Sequence, residues 1–331
     1  QNVKKACRAL ARENGGPDII LASSVHPLTL IAGEQLARRW RIPCICEIRD
    51  LWPEAFFYSG AVKRYSLFGK LLMSGEHHIY RRADALIFLK PGDHDYLIEN
   101  RWDTGHGGDI DIDRCFYINN GIDFDTFRRQ ASSEAFADSD LDSGKRLFVY
   151  TGTIRPTNNV DALVDAAMLL KNRSDIKILV YGSGSELERL NRRAESAGLT
   201  NIAFKGFIEK RKIPYVLSKA NATILNYTAG GYNWSRGNSS NKLFEYMAAG
   251  KPIIQTVKMA YSPVDELRCG ISLDEGTPEG IAAAIESVCL MAQDEYDAMG
   301  QRAKEGARAY DFSTLTSRLE HVLEVVADND S

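Results

Sequence analysis

The sequence predicts two doubly wound α/β domains, each a parallel sheet covered by crossover helices. Three observations carry this. Short apolar runs alternate with helical patterns from end to end. The 331 residues are 44% hydrophobic and 26% charged, enough to bury two cores. A Ser-, Asp- and Gly-rich stretch at 132–144, with no usable periodicity, separates two sets of strand-like runs.

Taken in order, the chain opens on a helical pattern over residues 4–12 rather than on a strand with a glycine turn. The first domain is therefore expected to be N-terminally truncated, its natural first strands missing from this chain. Strands are expected at 18–22, 44–48, 85–89 and 115–118, and in the second set at 147–151, 177–181, 202–205, 222–226 and 252–256. The expected organisation is a first domain at 1–131, a linker at 132–144, a second domain at 145–309 and a C-terminal helix at 310–331, with a cleft beside the linker. The last helix carries Leu315, Leu319, Val322, Leu323 and Val326 at helical spacing and is free to pack on either domain.

A net charge of −3 gives no global field to attract nucleic acid, so any polyanion site must be local. Six cysteines lack metal-ligand spacing and read as reduced core thiols; Cys44 and Cys46 alternate along one strand and share a face. No run is long enough to span a membrane, and residues 1–5 lack the apolar core of a signal peptide. A cytoplasmic location is expected, either in solution or on the cytoplasmic membrane face.

The richest segment runs from Gly237 to Ile254. Ser and Asn are placed to cap a helix, Gly250 to end it and Pro252 to open a buried strand. A helix start offers free N–H groups to an anion, and Ser239, Ser240, Asn241 and Lys242 lie at this one. The dipole supplies only about 0.3–1 kcal/mol at an exposed terminus, so Lys242 must provide much of the grip. Glu245, three residues on, can reach two vicinal hydroxyls as a paired acceptor. The plain structural alternative is an ordinary capped helix with a surface Lys–Glu pair.

The run Ser239-Ser240-Asn241-Lys242-Leu243-Phe244-Glu245-Tyr246 resembles the donor-binding signature of the family-four retaining glycosyltransferases, in the branch that builds bacterial surface polysaccharides. Further stretches fit in order: Ser23-Ser24-Val25-His26-Pro27-Leu28, Glu47-Ile48-Arg49-Asp50-Leu51-Trp52-Pro53-Glu54, Arg81-Arg82-Ala83-Asp84, Asn119-Asn120-Gly121-Ile122-Asp123 and Tyr150-Thr151-Gly152-Thr153-Ile154. The resemblance implies a GT-B fold, two Rossmann-like doubly wound domains facing a cleft. It implies a nucleotide-sugar donor, with Glu245 on the ribose, Ser239, Ser240, Asn241 and Lys242 at the diphosphate, and Leu243 among the donor-binding residues. It also implies an arginine and a lysine in the loop after the first strand of the second domain, where charge develops on the leaving diphosphate. Here that loop holds Gly152 and Arg155, with Asn158 about where the lysine is expected, and Gly237 stands where many members carry a second glutamate.

The turn Gly182-Ser183-Gly184 follows a strand and opens a helix, but lacks the third glycine of a dinucleotide fingerprint. The resemblance places it beside the donor, and Phe207 and Ile208 near the nucleobase. On the acceptor side, Arg49 and Asp50 end a buried strand, where parallel sheets present ligand groups, and either pair with each other or contact sugar or acceptor. His26 lies at the same sheet edge. The D-x-D patterns at 107–113 read as a solvated acidic turn, and no metal or cofactor is expected. Residues 56–73 mix aromatics, aliphatics and four basic residues, the mixture of an interfacial membrane segment.

The expected activity is transfer of a hexose or N-acetylhexosamine, from a UDP-linked donor, to a lipid-diphosphate or saccharide acceptor. A UDP-sugar epimerase on the same fold and a non-catalytic sugar-nucleotide-binding subunit are the alternatives.

Overall fold

The computed structural model describes residues 2–24, 26–230 and 232–328. Val25 of the Ser23 to Leu28 stretch lies outside them. The chain divides into two compact units, one of residues 1–119, 235–237 and 315–331 and one of residues 120–234 and 238–314.

The first unit runs α1 (Asn2–Asn14), β1 (Ile20–Ser24), α2 (Pro27–Trp40), β2 (Cys44–Ile48), α3 (Trp52–Tyr58), α4 (Leu67–Tyr80), β3 (Ala85–Phe88), α5 (Asp93–Glu99) and β4 (Cys115–Tyr117). The four strands are parallel in the order β1-β2-β3-β4. β3 is a continuous apolar run, and β2 is apolar apart from Glu47, because helices cover both faces of a parallel sheet. Cys44 and Cys46 are buried in one apolar cluster. The Asp84 carboxylate accepts the Cys44 N–H at 2.7 Å and fixes where β2 begins. On the opposite face, Val322 and Val326 of the C-terminal helix pack on Ile45, Ala85 and Ile87, so this stripe belongs to the first unit.

The second unit runs α6 (Phe124–Ser133), β5 (Arg146–Thr151), α7 (Val160–Leu169), β6 (Ile176–Tyr181), α8 (Leu187–Ser196), β7 (Ile202–Gly206), α9 (Ile213–Lys219), β8 (Ala222–Leu225), α10 (Asn241–Ala249), β9 (Ile253–Gln255), α11 (Pro263–Glu266), β10 (Gly270–Ser272), α12 (Pro278–Leu290) and α13 (Gln293–Gly306). The C-terminal helix, α14 (Phe312–Asp328), follows. Side chains alternate along the strands between two clusters, Val149, Leu179 and Leu225 on one face and Phe148, Ile178 and Ile224 on the other. The strand order is β10-β9-β8-β5-β6-β7, all parallel. From β5 the chain builds outward through β6 and β7, then returns to β5's other side to lay down β8. The carboxyl ends of β5 and β8 therefore flank the topological switch point, where open α/β sheets bind ligands.

Two expectations change. β10 is an unpredicted strand of three residues, too short to form an apolar run. The stretch 132–144 is held to the second unit rather than strung out as a linker: Lys205 Nζ pairs with Asp138 at 2.8 Å and Asp140 at 2.9 Å, Lys177 also reaches Asp140, and Leu141 is buried. The boundary between the compact units falls instead after Asn119.

Candidate active site

A cavity of about 560 Å³ lies at the β5/β8 switch point, wholly within the second unit. Its walls come from the loop after β5, the residues after β8 and the start of α10.

The loop after β5 is shaped by its own backbone. Tyr150 Oη donates to the Thr153 carbonyl at 2.8 Å, and Asn158 Nδ2 donates to the same oxygen. Asn226 Nδ2 in turn donates to the carbonyls of Asn158 and Asn159, each at 2.8 Å. Asn158, where the resemblance implies a lysine, thus spends its amide shaping the loop. Gly182 and Gly184 support that loop from behind. A Cβ on Gly182 would lie 1.8 Å from the Gly152 carbonyl oxygen, and one on Gly184 would lie 2.1 Å from that of Ile154. Their φ values of +149° and +157° also favour glycine.

The start of α10 is fixed from three sides. Tyr246 Oη accepts the Thr151 N–H at 2.8 Å and donates toward the Thr151 carbonyl at 3.2 Å, tying the helix to the end of β5. The Ser240 N–H donates to Asn238 Oδ1 at 2.9 Å, and Asn120 Nδ2 donates to the Ser239 carbonyl at 2.7 Å. Ser240 is the N-cap residue, but its side chain makes no cap hydrogen bond, which corrects the expected hydroxyl cap. Gly250 closes the helix at φ +64°, as expected.

Three charged side chains line the cavity with no ion pair among the described residues: Arg155, Lys242 and Glu245. The Lys242 ammonium lies 4.2 Å from the ring centroid of Tyr227 and 4.8 Å from that of Tyr150. Burial, and secondarily the charge of Arg155, pushes its pKa down to about 7. Burial raises the Glu245 pKa, against the opposing pull of Lys210. A pocket with two cations, a helix start and a half-buried carboxylate fits an anion joined to a polyhydroxyl group.

Of the residues expected at the donor, the structure brings together Gly152, Arg155, Ser239, Ser240, Asn241, Lys242 and Glu245. Leu243 is fully buried in the core, one position round the helix from Lys242. Gly182 and Gly184 act behind the wall. Phe207 follows β7 with its ring 77% exposed, and Ile208 packs against the core; neither lines the cavity. The sequence reading missed Tyr227, Tyr232, Trp234 and Asn238, which do line it. Their only signal is position, since they lie in the segment between β8 and α10.

In the first unit, His26, Arg49 and Asp50 follow the carboxyl ends of β1 and β2. His26 is the N-cap of α2: its Nδ1 accepts the Leu28 N–H at 3.2 Å, and its ring stands 5.0 Å from that of Trp52. The Arg49 N–H donates to Ser24 Oγ at 3.1 Å, and among the described residues no ion pair joins Arg49 to Asp50. Asp50 lies at a second, apolar cavity of about 200 Å³, together with Leu28, Ile48, Trp52, Phe56 and Leu71. Nearby, Tyr65, Leu67, Phe68 and Leu71 are between 57% and 88% exposed. Asp109, in the acidic turn, is paired with His77 at 2.7 Å and Arg81 at 3.3 Å rather than simply solvated.

Two parallel-sheet units, one with a cavity lined by two basic side chains at its switch point, define the class of α/β proteins built from two Rossmann-like units. The chain matches the family described as "Glycosyl transferases group 1" over residues 132–306, and a "Glycosyl transferase 4-like domain" over residues 3–106. It belongs to the glycosyl transferases group 1 family. Among curated relatives it is 20% identical over 275 residues to "Probable glycosyltransferase WbjE" of Pseudomonas aeruginosa, covering 82% of this chain and 66% of that one. It is 23% identical over 277 residues to "Putative teichuronic acid biosynthesis glycosyltransferase TuaH" of Bacillus subtilis, covering 82% and 64%. The chain thus spans just under two thirds of the length of these relatives. Among solved structures, Anabaena HepE in complex with UDP superposes with a TM-score of 0.71 at 16% identity, covering 98% of this chain and 82% of that one. Sucrose-phosphate synthase from Thermosynechococcus elongatus does so with 0.72 at 17%, covering 98% and 77%. The shared fold is GT-B.

Proposed function

We propose that the chain is the transferring part of a retaining glycosyltransferase that takes a hexose or N-acetylhexosamine from a UDP-linked donor. The observation that carries this is the set of uncommitted charges at the β5/β8 switch point: two cations for a diphosphate and a carboxylate for a ribose. Solved relatives of the same fold hold UDP and UDP-glucose, which supports uridine in the donor. The sugar-phosphate bond breaks heterolytically, and Arg155 and Lys242 offset the charge left on the diphosphate. An acceptor hydroxyl attacks from the face the diphosphate leaves, its proton passing to a leaving phosphate oxygen. On this picture configuration is retained without a dedicated protein base, and a metal ion has no assigned task.

The acceptor we assign is a lipid-linked or saccharide hydroxyl of cell-surface polysaccharide synthesis, a role supported by the name of TuaH. The apolar cavity beside Asp50 and the exposed Leu67, Phe68 and Leu71 favour a lipid-linked acceptor met at the cytoplasmic membrane face. No helix among the described residues is long and apolar enough to cross a membrane. The test is turnover of a panel of UDP-sugars with lipid-diphosphate acceptors. Acceptor-dependent release of UDP with an α-linked product from an α-linked donor supports the reading. Acceptor-independent change of the sugar would support an epimerase, and binding without turnover a non-catalytic subunit.

A further inference from the structure

The Lys242 ammonium meets aromatic faces where most buried lysines meet a carboxylate. Tyr227 and Tyr150 present their rings at 4.2 and 4.8 Å from Nζ. Among the described residues no carboxylate lies within 4 Å of it. The charged and titratable groups around it are Arg155 from the loop after β5, Glu245 on its own helix, and the hydroxyl of Tyr246, which is committed to Thr151.

Both rings are fixed independently of the lysine. Tyr150 is fully buried and its hydroxyl is tied to the Thr153 carbonyl. Tyr227 is 9% exposed, its N–H donates to Thr256 Oγ1 at 3.1 Å, and its ring packs on Trp234 at 4.8 Å. A carboxylate partner would neutralise the lysine and compete with an incoming anion. An aliphatic wall would desolvate the ammonium and return no attraction. An aromatic face attracts the cation through its quadrupole and brings no countercharge.

Resting on the diphosphate reading of the cavity, we propose that Tyr227, with Tyr150 behind it, is a positioning residue that holds the Lys242 ammonium over the pocket, uncommitted, as the cation that receives the donor's diphosphate. Both rings contact the lysine, so an effect that passes through it must vanish once Lys242 is removed.

The experiment is a double-mutant cycle on the full chain, titrating UDP and inorganic pyrophosphate into wild type, Tyr227→Leu, Tyr227→Phe, Lys242→Met and Tyr227→Leu/Lys242→Met. Tyr227→Leu is expected to weaken binding by about 2- to 30-fold, the range of one cation–π contact. Tyr227→Phe keeps the ring and is expected to restore binding. In the Lys242→Met background Tyr227→Leu should change nothing further. A loss that adds fully to that of Lys242→Met, or a wild-type affinity in Tyr227→Leu, overturns the proposal. If wild type itself binds neither UDP nor pyrophosphate, the diphosphate reading fails instead. Should Tyr227→Leu not fold, the Lys242 εCH₂ proton resonances of wild type decide. Ring currents from two tyrosines must shift them upfield, and unshifted resonances contradict the two ring contacts.

Discussion

Lys242 and Tyr227 form the closest cation–π contact among the described residues of the switch-point cavity, with the ammonium 4.2 Å from the ring centroid. They lie fifteen positions apart in the sequence, and the adjacency of β8 and β5 brings them together.

A pH dependence follows from that lysine. Burial and Arg155 hold its pKa down to about 7, and a bound diphosphate favours the ammonium and raises it. Binding therefore takes up a proton above pH 7. UDP affinity should fall by up to about tenfold per unit as pH rises from 7. Calorimetry in two buffers of different ionisation enthalpy should register the uptake in wild type and lose it in Lys242→Met.

Tyr246 ties α10 to the end of β5 through a single hydroxyl. Tyr246→Phe leaves the buried Thr151 N–H without that acceptor, at a cost of about 1–3 kcal/mol. Urea unfolding should show the loss, and UDP titration should show weaker binding, because the same tie places Lys242 and Glu245.

In the first unit, burial raises the Glu76 carboxyl to a pKa of about 7, although the hydroxyls of Tyr96 and Tyr80 both donate to it. An acid whose folded pKa exceeds its unfolded value of about 4.5 binds protons more tightly when folded. Its contribution to stability is present below pH 4.5 and is lost as pH rises toward 7. Glu76→Gln removes the titration, so its stability relative to wild type should rise between pH 4.5 and 7.5 by on the order of 2 kcal/mol. Urea midpoints at the two pH values check this. Asp93 is raised in the same direction and its charge also raises Glu76, so the difference between the two proteins reports the coupled pair.

Exposed Leu67, Phe68 and Leu71, with Lys63 and Lys70 nearby, predict sedimentation with anionic vesicles that weakens with salt. Leu67→Ser with Leu71→Ser should reduce it at every salt concentration. Vesicle-independent behaviour at low salt would count against membrane docking.

Much of this was legible in the sequence where one local signal sufficed. β2 is apolar in four of its five residues, and its bounds, Cys44–Ile48, match the expected strand. Lys242 and Glu245 sit at a helix start that Gly250 and Pro252 punctuate. What needed the fold was anything made by strand adjacency. The Tyr227–Lys242 contact depends on β8 returning beside β5, which no periodicity encodes. Leu243 was misplaced because nearness in sequence to Lys242 hides a turn of about 100° around the helix, from cavity to core. Gly182 was placed beside the donor, but its missing Cβ makes room for the Gly152 carbonyl. β10, three residues opening on Gly270, carries no apolar run at all.

The central claim is that the switch-point cavity binds a nucleoside diphosphate with Glu245 on the ribose. Its most direct measurement is the binding of UDP and 2′,3′-dideoxy-UDP to wild type and Glu245→Ala. Wild type should prefer UDP by about tenfold or more, the worth of hydrogen bonds to a charged acceptor, and Glu245→Ala should bind the two alike. An undiminished preference for UDP in Glu245→Ala would contradict the account.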